Sequence, residues 1–190
     1  YEWSDASQTT NSITVSPTTT TTYTVTVTDG NDCSITVTHE IVVNQVPVGA
    51  ITVTENSGTA DDGTICVGDD VTLTASSDIA GSTYLWDDAS ASTTAAITVS
   101  PTADATYNVT ITSNGCTDVE TVNIIVNPLP TVTAAAICTG AGGPGSGEIT
   151  VTASGTGTLM YSLDGAPAVT TNVFSNVANG RHTITVSDDN

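Results

Sequence analysis

Residues 84–130, YLWDDASASTTAAITVSPTADATYNVTITSNGCTDVETVNIIVNPLP, repeat residues 1–47, YEWSDASQTTNSITVSPTTTTTYTVTVTDGNDCSITVTHEIVVNQVP. Trp3 matches Trp86, Cys33 matches Cys116 and Pro47 matches Pro130, each pair 83 residues apart. One residue is gained before Ile97 and one is lost before Cys116, so the match is nearly gap-free. An internal echo of this length is the mark of a modular array. Within each copy the apolar period is two: Tyr23, Val25 and Val27 alternate with threonines, and Tyr107, Val109 and Ile111 do the same. Ile13/Val15, Ile97/Val99 and Val71/Leu73 follow suit. Alternating β-branched residues broken by Gly and Asp turns predict half-buried antiparallel strands. Asp29-Gly30, Asp62-Gly63, Asn114-Gly115, Asp164-Gly165 and Asn179-Gly180 supply the positive-φ positions of tight turns.

The second copy carries a front half, Val48 to Ser82, with strand-like runs at Ala50–Thr54 and Val71–Ala75. Residues 1–47 have no such front half. Either the chain is a window on a longer array, or those residues are completed by strands of another molecule. The opening Tyr1-Glu2-Trp3 reads as mid-strand, as in a mature or excised segment whose export signal lies elsewhere. Residues 131–190 leave the repeat but keep strand-like runs at Thr131–Ala136, Glu148–Ala153, Leu159–Leu163, Asn172–Phe174 and Arg181–Val186. The predicted fold class is all-β, as tandem Ig-like antiparallel β-sandwich modules. Residues 1–47 form the C-terminal half of one, 48–130 a complete one, and 131–190 a smaller sandwich clipped at its C-terminal end. Trp3, Trp86, Tyr23 and Tyr107 are the expected core anchors. Proline stiffens the joints, so Asn44-Gln45-Val46-Pro47 and Asn127-Pro128-Leu129-Pro130 read as short, semi-rigid connections rather than floppy tethers.

Charge excludes several functions. Twenty acidic residues stand against one basic residue, Arg181, for a formal net charge of −19. A partner nucleic acid would need Lys/Arg to displace its counterions, and an anionic membrane surface would repel the chain. Without lysine, no Lys–Asn isopeptide bond can form. Only 11% of residues are charged, so the surface is mainly hydroxyls and amides, which suits solubility outside a cell. No run approaches the ~20 apolar residues of a membrane-spanning helix.

The succession Tyr-x-Trp, Ile-Thr-Val-Ser-Pro-Thr, Thr-Tyr-x-Val-Thr-Val, Cys and Val-Asn-Pro-Leu-Pro resembles Ig-like (PKD-like) repeats of very large surface proteins in the Bacteroidota. Cys138-Thr139-Gly140, Gly147-Glu148-Ile149-Thr150-Val151, Tyr161-Ser162-Leu163-Asp164-Gly165 and Gly180 to Asp188 resemble the SprB-type repeat of gliding-motility adhesins. The second resemblance departs at Arg181-His182, where that family has a small residue and Tyr. Together they imply an exported, surface-displayed or fibrous protein and no particular reaction. The SprB-type pattern also implies that the partner of Cys138 lies just past Asn190.

Four cysteines allow three pairings. Cys66 and Cys116 both fall inside the complete module, which predicts a disulfide closing about 50 residues and contributing roughly 3–4 kcal/mol. Cys33 holds the place of Cys116, so its partner is expected upstream of Tyr1. Cys33 and Cys138 are otherwise orphans: free thiols, or a bond to a neighbouring chain. Isolated cysteines with only His39 and His182 to help argue against zinc. Asp61, Asp62, Asp69 and Asp70 are the candidates for calcium. O-linked glycans on the Thr18–Thr22 run are a second possible addition, and Asn108-Val109-Thr110 is the one N-glycosylation sequon. Gly140–Gly147 lacks the lysine of a phosphate loop. With no catalytic residues to assign, the sequence reads as a non-catalytic structural or adhesive segment, extracellular or on the cell surface. Its partners are neighbouring modules or identical subunits in a fibre, with no cofactor. The alternative is a carbohydrate-binding or accessory module of a secreted hydrolase, which calls for a row of exposed aromatics.

Overall fold

The computed structural model describes residues 1–5, 8–56, 61–138 and 147–188. Its regular elements are strands: β1 Glu2–Trp3, β2 Thr21–Thr28, β3 Ser34–Ile41, β4 Gly49–Glu55, β5 Thr64–Cys66, β6 Val71–Ser77, β7 Thr83–Trp86 and β8 Ala96–Val99. There follow β9 Ala105–Ser113, β10 Cys116–Asn127, β11 Thr131–Cys138, β12 Gly147–Ser154, β13 Met160–Leu163, β14 Val173–Val177 and β15 Ile184–Ser187. The described residues are all-β, and their centre is an Ig-like β-sandwich, antiparallel except where β5 runs parallel to β10.

That sandwich packs the sheet β5-β10-β9-β7 against the sheet β4-β6-β8. The period-two pattern explains why. Val71, Leu73 and Ala75 on β6 meet Val109 and Ile111 on β9, with Ile65, Ile97 and Ile124 filling the ends. Trp86 sits among them, 1% exposed, and its indole N–H donates to Thr94 O at 3.0 Å. The intervening threonines face the outer sides of the two sheets. All members of this buried cluster come from residues 48–130, so the module encloses its own core. Gly49 permits a close approach: a Cβ there would lie 2.4 Å from Ile111 Cδ1, and its N–H donates to Asp118 Oδ2 at 2.9 Å.

The third unit has two sheets, β11-β12-β14 and β13-β15, around Ile149, Val151, Tyr161 and Val177. Asn114-Gly115 and Asp164-Gly165 both take positive φ at each residue, as tight hairpins require. At Asp29-Gly30 the expectation changes. The positive φ falls instead on Asp32, because Asp29 Oδ1 accepts the N–H groups of Asn31 and Cys33 and pulls the turn around itself.

Residues 1–47 form a single sheet, β1-β2-β3. Its register is that of β7-β9-β10: Trp3 pairs with Val25 as Trp86 pairs with Val109. The Trp3 indole donates to Thr10 O at 2.9 Å, as Trp86 does to Thr94. One expectation nevertheless needs correction. Ile13/Val15 forms no strand, whereas Ile97 does because it pairs with Leu73 on β6; residues 1–47 contain no β6 equivalent. Trp3 and Tyr23 are half-buried, with no second sheet over them among the described residues.

The expected Cys66–Cys116 disulfide is also overturned. Cys66 pairs with Asn127 at the last residue of β10, and Cys116 pairs with Ser113 at its first. Strands rise about 3.3 Å per residue, so the two cysteines stand roughly 35 Å apart, against the ~7 Å limit for a disulfide. They occupy opposite poles of one module.

Candidate functional site: the open sheet face and the module joints

Among the described residues, the inner face of the first sheet is an uncovered apolar surface, which the repeat identifies. Val25 and Val27 correspond to Val109 and Ile111, which are fully buried under β6. Beside them, Ile35 and Val37 on β3 are 65% and 54% exposed. Ladder partners share a face, so Val25–Val37 and Val27–Ile35 set four aliphatic side chains side by side. At the hairpin end of this face Cys33 is exposed, next to Val27, Asp29 and Ile35.

The joints come next. Pro47, in the connection after β3, is fully buried. Just before it, Asn44 Nδ2 donates to Asn114 O at 3.0 Å, and Cys116 Sγ lies 3.8 Å from Asn44 O. The β9–β10 hairpin tip therefore rests on the segment that leaves β3. At the following joint, Val67 N–H donates to Asn127 O at 2.9 Å. Asp188 closes on this joint from the third unit: a Cβ on Gly155 would lie 3.1 Å from Asp188 Oδ2 and 3.5 Å from Pro130 Cβ. Burial, then the carboxylates of Asp188 and Asp69, pushes the Cys66 thiol pKa up.

The third unit holds the one ion pair among the described residues, and nothing in the sequence pattern announced it. His182 Nδ1 lies 2.6 Å from Asp164 Oδ2, and Nε2 lies 2.9 Å from Ala178 O. Thr183 N–H donates to Asp164 Oδ1 at 2.8 Å. Both ring nitrogens face oxygen acceptors, so the arrangement favours the imidazolium and leaves no lone pair for a general base. A clamp results. It ties the Asp164-Gly165 turn to the start of β15, at the edge of a groove of about 310 Å³ lined by Ala134, Ala136, Ile149, Val177 and Ile184.

The hydrogen bond to Asp164, then the bond to the Ala178 carbonyl, holds the His182 pKa above its ordinary value, while Asp164 is held below its own by His182 and Thr183. The raised histidine contributes stability that is complete below about pH 6.5 and lost as pH rises through its folded pKa. The depressed carboxyl contributes stability present above about pH 4 and lost as pH falls through its folded pKa. The pair is therefore strongest between those two values. Following the His182 ring protons by NMR should give a midpoint above the ordinary range, and Asp164→Asn should return it there. An unchanged midpoint in that variant would remove the clamp.

Three of the four calcium candidates accept hydrogen bonds from the protein. Asp61 Oδ1 accepts Glu55 N–H, Asp62 Oδ1 accepts Thr64 N–H, and Asp70 Oδ1 accepts the Ser100 hydroxyl. Among the described residues no three His, Cys, Asp or Glu side chains gather as a metal group. The sequon residue Asn108 is held on both sides, donating to Asp87 Oδ2 at 2.6 Å and accepting from Thr121 Oγ1 at 2.6 Å. Tyr107 is half-buried against the core, and burial, then Asp87 and Asp88, pushes its hydroxyl pKa up. His39 stands opposite Tyr23 on an exposed strand. Cys138 ends β11, but its side chain and the Gly140–Ser146 part of the glycine-rich run lie outside the described residues.

Residues 54–128, the span from the end of β4 through β10, match the family described as Ig-like domain CHU_C associated. No curated protein matches the chain. The family is typically non-catalytic, and its association suggests a cell-surface or extracellular protein. No helix among the described residues is long and apolar enough to cross a membrane.

Proposed function

We propose that this chain is a non-catalytic structural or adhesive segment of a secreted cell-surface or extracellular filament protein, in which sandwiches stacked in series carry load or spacing. One observation carries this reading. The sheet of the closed Ig-like module recurs, register for register and with the same indole hydrogen bond, on the far side of a buried proline joint. Such duplication makes sense for a part used repeatedly along an axis. The lysine-free, acidic surface keeps the units apart from nucleic acids and anionic membranes. The open first sheet is then either a module whose other half precedes it in a longer polypeptide, or an acceptor for strands of a like subunit.

Stretching single molecules that contain residues 48–130 tests the mechanical role. Each closed module should unfold as one discrete force peak and release about 25 nm of contour, from ~3.6 Å per extended residue over 83 residues less the folded length. Extension without peaks, accompanied by saturable binding in a glycan screen, would favour the carbohydrate-binding class instead.

A further inference from the structure

Asn44 and Asn127 hold the same place in the two copies, 83 residues apart. In the second module that place belongs to β5: Cys66 is the parallel ladder partner of Asn127, and Val67 N–H donates to the Asn127 carbonyl. In the first, the same carbonyl, now that of Asn44, faces Cys116 Sγ of the next module at 3.8 Å. Two cysteines thus converge on one residue from opposite sides of a joint. One is the β5 cysteine of the module that owns the asparagine. The other is the hairpin-tip cysteine of the module after it. Ladder neighbours lie about 4.8 Å apart, and Cys116 Sγ already lies 3.8 Å from the Asn44 carbonyl, so both thiols are brought to the same position of the repeat.

We propose that the two cysteines of each Ig-like repeat pair across module joints, Cys116 with the β5 cysteine of the preceding repeat, rather than with each other. The proposal rests on the serial reading of the modules. It explains why one module holds its two cysteines at opposite poles, where neither can reach the other. In forming the bond, two thiols lose two protons and two electrons and become one S–S bond. A disulfide carrier, such as glutathione disulfide or an extracytoplasmic thiol–disulfide exchange protein, takes the electrons and is released as two thiols. The cystine would lock each hairpin tip to the strand beneath it and make consecutive modules one stiff rod.

A lengthened chain tests this directly: a copy of Val48–Thr83 placed ahead of the intact Tyr1–Asn190 supplies the missing β5 beside Val42–Asn44. After oxidation with glutathione disulfide and alkylation without reduction, peptides are mapped by mass spectrometry. A protease cutting at acidic residues is needed, because the chain has no lysine and one arginine. The expected product links the copied Cys66 to Cys116, and Cys116 disappears from thiol labelling until a reductant is added. Replacing the copied Cys66 by serine should restore that labelling. A Cys116 that stays alkylated, or a bond from the copied Cys66 to Cys33, overturns the proposal. The Trp3 emission maximum separates the two levels of failure. If Trp3 stays exposed, the serial reading itself fails; if Trp3 is buried and the bond is absent, only the joint cystine fails.

Discussion

Trp86→Ala is expected to cost the central module about 3–5 kcal/mol, the range for removing a large buried aromatic. The side chain is 1% exposed and lies at the centre of the cluster formed by Leu73, Val109, Ile111 and Ile124. Its loss opens a cavity that strands held by their ladders cannot collapse into, and it leaves Thr94 O without its indole donor. Domains of this size have only about 5–15 kcal/mol of stability, so a large part of the module's margin goes. The adjacent residue provides the contrast. Leu85 sits on the outer face of β7 and is 49% exposed, so Leu85→Ala should change stability by about 0.5 kcal/mol or less. Urea unfolding followed by far-UV circular dichroism measures both. Equal losses at the two positions would mean that the inward and outward faces of β7 are assigned wrongly.

What the sequence made legible, and what it hid, follows from the range over which each signal acts. Alternation along Val71–Ala75 and Tyr107–Ile111 is local, and it placed the strands and their buried faces. The echo between residues 1–47 and 84–130 placed the sheet that recurs. Pairing between distant segments was not legible. Nothing near Cys66 announces that Thr64–Cys66 runs parallel to the far end of β10, and that single ladder moves Cys66 to the pole opposite Cys116. Reading both cysteines as partners because they share a module treated proximity in the chain as proximity in space. Ile13/Val15 was misjudged for a related reason: its pattern is that of β8, but a strand needs a ladder partner, and β6 has no counterpart in residues 1–47. The Asp164–His182 clamp depends on a turn folding back on β15, a contact that neither residue's neighbours encode. The joints were half-legible. The recurrence of Asn44 at Asn127 was visible, while the contact that gives it meaning crosses from one module to the next.

Completing the first sheet should produce the other large effect. The chain lengthened by Val48–Thr83 ahead of Tyr1 restores, at the same spacing as in the second module, the strands equivalent to β4, β5 and β6. Their apolar faces, Val71, Leu73 and Ala75, would cover Val25 and Val27 as they already cover Val109 and Ile111. Ile13/Val15 would gain the ladder partner it lacks, as Ile97 has Leu73. Trp3 emission should move to shorter wavelength as the indole leaves water, and Ile35 and Val37 should gain protection from hydrogen exchange. Thermal unfolding should acquire a further cooperative transition. That transition is expected below the one of the central module. The copied Gly49 N–H, which Asp118 accepts in the second module, would face Ile35, which has no acceptor, at a cost of about 1–3 kcal/mol if it stays dry. Ile35→Asp should recover part of that difference. If the lengthened chain keeps Trp3 in water and melts without the added transition, the first sheet is not half of an Ig-like sandwich, and stacking in series loses its foundation.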